Sequence, residues 1–438
     1  MHRRIVLIKS HEWLEEGWRS KSFSRVGSLL ASNIKVAGME FDEGYHPVRV
    51  RGRVAISSER PIAEGFKYGG VGFATSYALR SEFEDEEAIG RFCSDRKEDV
   101  VGVFADLAIS TFPAPYCGSR AVGAEGDVAK KLGVPVLRRA GLTGRRVRVA
   151  VVDTGIDGSI VPVSGGWAPY RGYIPGSTPP NHGTMVAYDV CIAAPEARIL
   201  DYALLQSKGN SWTAFLSDAI AAYANLLELL ANEPGPLVVN NSWGMYDRSD
   251  DAPIGSPENY TANMDHPFNQ IVGSLVASGA DVFFAAGNCG ADCPDGRCGS
   301  GDIGSGASIH GANSHPDVVT VAAATVTDRR LGYSSQGPGG LYSRKPDLAA
   351  YSHFKGSGVY NVDSGTSAAS PVAAGVAAAI RQSASVRKLA SAQLKGLLQR
   401  TARDLERRGW DYNMGYGVID AAAAVKALGL KPTETLHA

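Results

Sequence analysis

The second half of this chain is a series of short apolar runs separated by stretches of helical character. The runs cover residues 147–152, 199–205, 237–241, 282–286 and 318–323, and 183–194, 213–231 and 268–278 read as helices between them. Strands apolar along their whole length and alternating with helices form a parallel sheet covered on both faces. In such sheets the ligand site lies outside the carboxyl ends of the strands.

The first third reads differently. Strands are expected at 4–8, 48–56, 70–77, 100–104 and 107–109, with a helix capped by Ser81 and closed by Glu84 in a capping box. That pattern predicts a small α+β unit of antiparallel sheet with helix cover. A chain of 438 residues is long for one core. The expected division is 1–110 for the first unit, 111–130 for a linker rich in Pro and Gly, 131–428 for the α/β domain and 429–438 for a tail.

A formal net charge of -1 gives no case for nucleic acid or an anionic membrane as partner. No apolar run approaches membrane-spanning length, and the four-residue run near the start is too short for a signal-peptide core. The expectation is a cytoplasmic protein with structural thiols. The spacing of Cys289, Cys293 and Cys298 fits no zinc pattern, and a loop disulfide there requires an oxidising compartment.

Chemistry gathers at the expected strand ends. The first run ends in Asp153-Thr154-Gly155, the third in Asn241-Ser242-Trp243-Gly244 and the fourth in Ala286-Gly287-Asn288. His182 opens the helix after the first run. Further on, Ser364-Gly365-Thr366-Ser367-Ala368-Ala369-Ser370-Pro371 is a glycine turn feeding a helix of small residues. Gly365 permits a backbone that a Cβ resists, and the helix start sets N–H groups and a positive dipole end beside the Ser367 hydroxyl. Singly, each residue has a bland reading as a cap, a turn or a surface imidazole. Jointly they are the inventory of nucleophilic acyl transfer: a hydroxyl, a base, a carboxylate to orient the base and a donor for the oxyanion.

These motifs, in this order, resemble those of the subtilisin-like serine proteases (subtilases) over roughly residues 130–425. The resemblance implies that Ser367 is the nucleophile, His182 the general base and then acid, and Asp153 the group that holds the imidazole. It implies an oxyanion hole made by the Asn288 amide and the Ser367 N–H. Ser242, Trp243 and Gly244 would be the edge that an extended protein or peptide substrate joins as a strand. His182 and Asn288 set the chain apart from the sedolisins, which carry Glu and Asp there, so activity near neutral pH is expected.

Ala368 and Val372 depart from the usual Met and His and read as packing changes. No cofactor is implied. The turn after His182 lacks the loop that carries a tight calcium site in many secreted relatives, so calcium dependence is left open without a recognisable site. The acidic stretch 247–266 reads as a solvated loop, with a calcium site or a bias for basic substrates as the alternatives. The first unit is similar to subtilase propeptides, which suggests an inhibitor of its own enzyme, cut within about residues 110–135. The alternative is a permanently attached accessory domain. A non-catalytic peptide binder on the same scaffold is the rival from another class. An α/β-hydrolase fits poorly, because Ala369 stands where its second motif glycine belongs and His182 precedes the serine.

Overall fold

The computed structural model describes residues 2–11, 14–15, 30, 33–55, 71–111, 120–206, 213–405 and 408–430. Residues 112–119 of the expected linker and the last eight tail residues therefore lie outside the described part. An antiparallel sheet of five strands comes first: β1 (His2–Lys9), β2 (Met39–Phe41), β3 (Val48–Ala55), β4 (Val71–Phe83) and, after α1 (Glu86–Asp95), β5 (Val100–Ala105). β1 runs between β4 and β5, while β2 and β3 follow one another along the other edge of β4.

The helix does not start at Ser81. That residue is buried inside β4, opposite Arg4 on one side and Phe41 on the other. Pairing on both edges keeps residues 81–83 extended, and the helix begins only where it ends. Asp85 is the cap, accepting the Ala88 N–H at 2.7 Å.

Side chains alternate across β1. Val6 and Ile8 meet Phe83, Ile89 and Phe92 in a core of the unit's own. Ile5 and Leu7 join a second core built mainly by the helices of the large sheet. Burial on both faces explains why this strand is apolar at successive positions although its sheet is antiparallel.

The chain then forms β6 (Ala108–Thr111), α2 (Glu125–Leu132) and α3 (Val134–Arg139). α2 starts inside the stretch read as linker; its Val128 and Leu132 are buried, and a buried face outweighs the glycines that precede it. Next come β7 (Arg148–Val152), β8 (Val163–Trp167), α4 (His182–Ala193), β9 (Arg198–Tyr202), β10 (Thr213–Phe215), α5 (Leu216–Asn232), β11 (Leu237–Asn241) and β12 (Trp243–Gly244). α6 (Pro267–Ala277), β13 (Asp281–Ala285), β14 (Val319–Ala324), β15 (Leu348–Tyr351) and α7 (Thr366–Arg381) complete the set used below.

Seven of these strands make one parallel sheet in the order β15-β14-β13-β11-β7-β9-β8. The chain steps from β7 to β9 on one side and then to β11 on the other, so the topology reverses around β7. Val149 and Val151 face one core with α4 and α7; Ala150 and Val152 face the other with α5 and α6. The two strands that no apolar run announced are the edges: β8 contains Gly165 and Gly166, and β15 is a four-residue alanine-rich strand.

α7 is buried along its whole length. It crosses α4 so closely that a Cβ on Gly375 would lie 2.3 Å from the Val190 carbonyl oxygen. Small residues there are a packing requirement.

The expected helix from residue 213 starts three residues later. Thr213–Phe215 is extended because it pairs, antiparallel, with β6. β6 pairs on its other edge with β12, giving a three-stranded sheet in the order β10-β6-β12. A strand of the N-terminal unit thus lies between two strands of the large domain.

Candidate active site

The carboxyl ends of β7, β11 and β13 and the amino ends of α4 and α7 converge on one locus, at the reversal of strand order. Asp153 follows β7 and is fully buried. Its Oδ1 accepts the Thr154 N–H at 2.7 Å and faces His182 Nδ1 at 2.8 Å. His182 is the first residue of α4, and its Nε2 is buried with no hydrogen-bond partner among the described residues. Asn181 caps the helix: its Oδ1 accepts from the Gly183 N–H at 3.0 Å and from the Thr154 hydroxyl at 2.9 Å. Gly183 has no alternative, since a Cβ would stand 2.3 Å from the Gly155 carbonyl oxygen. The helix start is thereby bound to the end of β7, which fixes the imidazole against the carboxylate.

Ser367 is the second residue of α7, after Gly365 at φ +79°. The Ser352 hydroxyl donates to the Gly365 carbonyl at 2.7 Å, and the Gly365 N–H donates to the Tyr333 hydroxyl at 3.0 Å. The turn is held from both ends.

Pro371 lies one helical turn beyond Ser367 and has no N–H for the Ser367 carbonyl. The Ser242 hydroxyl takes that place, donating to the Ser367 carbonyl oxygen at 3.0 Å. In return the Ser367 hydroxyl donates to the Ser242 carbonyl at 3.2 Å. Behind this pair, the Asn240 amide donates to the Ser242 hydroxyl at 3.0 Å and accepts from Ser370 at 2.8 Å. The end of β11 and the start of α7 are thus joined by side chains.

Asn288, after β13, is fully buried. Its Oδ1 accepts both the N–H and the hydroxyl of Thr366, each at 3.0 Å. Thr366 thereby fixes which end of the Asn288 amide accepts and which donates. Sequence reading passed over Thr366, although it sits inside the motif; a hydroxyl at the first position of a buried helix is the signal it offered.

The surroundings carry negative charge. The Tyr360 phenol is pushed up to about 12 by burial and by the charges of Asp153 and Asp363. Burial raises Asp201 to about 6 against the opposing hydrogen bonds of Tyr173 and the Gly176 N–H.

Ser367 is joined here to Ser242, and its hydroxyl is not hydrogen-bonded to His182. Trp243 and Gly244 form β12, whose edge is paired with Thr111 and Ser110 of β6. The sequence left the redox state of the clustered cysteines open; Cys289 and Cys298 form a disulfide. It closes the loop directly after Asn288, where the Asp295 N–H donates to the Asn288 carbonyl at 2.9 Å. In the acidic stretch, Asp251 accepts the backbone N–H groups of Ala252, Tyr260 and Thr261. A solvated loop would leave that carboxylate in water; here it organises the loop.

The profile of the subtilase family matches residues 144–417, more than half of the chain. Subtilisin E of Bacillus subtilis is 28% identical over 309 residues, which cover 67% of this chain and 69% of that protein. A subtilisin of Bacillus pumilus matches at the same 28% identity and is covered over 95% of its length. The membrane-bound transcription factor site-1 protease of Homo sapiens is 30% identical over 337 residues, 71% of this chain but only 28% of that larger protein. With its seven-stranded parallel sheet and the match across that sheet, the chain belongs to the subtilase family of serine endopeptidases.

Proposed function

We propose that this endopeptidase works through Ser367, His182, Asp153 and Asn288, and that its own β6 holds the substrate cleft as an inhibitor. The observation that carries the catalytic part is the buried Asp153–His182 contact of 2.8 Å. A carboxylate on Nδ1 keeps the proton there and leaves Nε2 basic. A substrate carbonyl entering the site turns the Ser367 hydroxyl from Ser242 toward Nε2. Oγ then bonds to the carbonyl carbon as its proton passes to the imidazole. The oxyanion takes the Asn288 NH2 and the Ser367 N–H. Collapse breaks the C–N bond, and the amine leaves with the imidazole proton. Water then hydrolyses the acyl-enzyme by the same steps with water in place of the amine.

The inhibitory part is supported by the antiparallel seat of β6 on β12, the edge expected to receive substrate. Asp106 strengthens the docking from the N-terminal unit, accepting the Ser217 N–H at 2.9 Å at the start of α5. The Cys289–Cys298 disulfide supports action in an oxidising compartment, against the cytoplasmic expectation.

The test is fluorophosphonate labelling together with the intact mass of the wild type and of Ser367→Ala. Labelling at Ser367, absent in the variant, is the expected result. Loss of the N-terminal unit from the wild type alone adds self-processing. A wild type that is never labelled, even with β6 displaced by mutation, would leave a peptide-binding protein as the better reading.

A further inference from the structure

The loop closed by the disulfide reaches back to the cleft through a side chain whose role nothing above explains. Arg297 lies with its guanidinium carbon 3.9 Å from the centre of the Tyr246 ring. Its Nε and one terminal nitrogen donate to the two oxygens of Asp295, each at 3.0 Å. The same terminal nitrogen also donates to the Tyr246 hydroxyl, which in turn donates to the Thr111 carbonyl at 2.9 Å. The other terminal nitrogen points at the strand in the cleft and donates to the Ser110 hydroxyl at 3.2 Å. One side of the guanidinium is therefore bound to the enzyme, and the other is presented to whatever occupies the position of Ser110.

We propose that Arg297, set by Asp295 and Tyr246, is a specificity-determining residue that selects an acidic or hydrogen-bond-accepting side chain two residues before the acyl residue of the substrate. This rests on reading β6 as an occupant of the substrate edge. Ser110 pairs with Gly244 and Thr111 with Trp243. A substrate strand in that register brings its next residue opposite Ser242, which is hydrogen-bonded to Ser367. That residue supplies the acyl group, so the one in the place of Ser110 lies two positions upstream.

The neighbours leave room for a longer side chain. Gly244 opposes Ser110 on one edge and contributes no side chain; Thr213 opposes it on the other. Ile109 and Thr111, on the opposite face of the strand, are buried, while Ser110 is half-buried. A serine reaches only one nitrogen of the fork, whereas Asp or Glu extends a carboxylate to it. Asp295 already offsets part of the charge and the Arg297 side chain is 42% exposed, so the selectivity is moderate.

Two series in the full-length protein test this. In the first, peptides differing only at that position (Glu, Ser, Lys) are cleaved by the wild type, Arg297→Ala and Arg297→Glu. The wild type should favour Glu over Lys in kcat/KM by roughly threefold to tenfold, Arg297→Ala should level the ranking and Arg297→Glu should invert it. In the second, hydrogen exchange of Ala108–Thr111 is followed in Ser367→Ala, with Ser110→Glu or Ser110→Lys added. Exchange should be slower with Glu than with Lys, and Arg297→Glu should reverse that order. Rankings unmoved by Arg297 in both series overturn the proposal. If the exchange series responds while no peptide is cut, Arg297 does recognise the strand, and it is the catalytic reading that fails.

Discussion

The two sheets of this molecule divide the work unequally. The parallel sheet is apolar through its strands, and its rim gathers every candidate catalytic residue. The antiparallel sheet contributes none of them, yet it is wrapped so that one face is covered by its own α1 and the other by α5 and α6. Its contact with that rim runs through a short segment, Asp106 to Thr111. Asp106 accepts from the Ser217 N–H and hydroxyl, and Arg80 of β4 donates to the same hydroxyl at 2.7 Å. β6 then fills the edge beside Ser367.

The comparison is broken most severely in the large domain. Asn288→Ala should lower kcat by about a hundredfold to a thousandfold, the range known when the same donor is removed from a subtilisin. Fluorophosphonate labelling and the seating of β6 should change far less than turnover, and steady-state kinetics beside hydrogen exchange would separate the two. An equal loss in both would mean that Asn288 holds the cleft together and has no special role toward the oxyanion.

Next in size is a change in the small unit. Ile109 is 1% exposed and belongs to the core that both sheets share. Ile109→Asp removes about 2 kcal/mol of burial, which corresponds to roughly a thirtyfold shift toward an open edge. Labelling of Ser367 should accelerate by that order while circular dichroism stays native, because the five-stranded sheet does not include β6. An unchanged labelling rate would show that β6 does not govern access.

The smallest effect sharpens the comparison through pH. Burial raises Asp106 to about 6, against the pull of Arg80 and the bonds from Ser217. Once the unit undocks, the carboxylate returns to about 3.9. The docked state therefore holds more protons between those values, so docking strengthens as pH falls and weakens as pH rises through 6. From pH 7 to 5 the stabilisation grows by up to about tenfold. The quantity to follow is the ratio of wild-type to Asp106→Asn labelling rates, which cancels any pH dependence the two proteins share and should fall on acidification. A flat ratio would remove Asp106 from the control of docking.

The corrections share one cause. Ser81 and Glu84 satisfy the local rules for a capped helix, and Thr213 to Phe215 precede a helix with no punctuation. In both places a strand distant in sequence takes the backbone hydrogen bonds first: β1 and β2 at Ser81, β6 at Thr213. Glu125 to Leu132 became helical where turn residues suggested a linker, because a buried apolar face lay downstream. Local propensity is worth tenths of a kcal/mol per residue and yields to such pairing and burial.

The order of the apolar runs and the residues that end them were legible without coordinates. A parallel sheet buries whole strands, and its loops must place chemistry at one rim, so Asp153, His182, Ser242, Asn288 and Ser367 could be named from the sequence. Their supports could not. That Thr366 holds the Asn288 oxygen, that Ser242 replaces the N–H missing at Pro371, and that Cys289 pairs with Cys298 depend on distances between segments 9 to 125 residues apart. The seating of β6 between β10 and β12, and the reach of Arg297 across 187 residues of chain to Ser110, belong to the same class. Hydrogen bonds and packing act over a few ångströms, and only the folded chain decides which distant residues come that close.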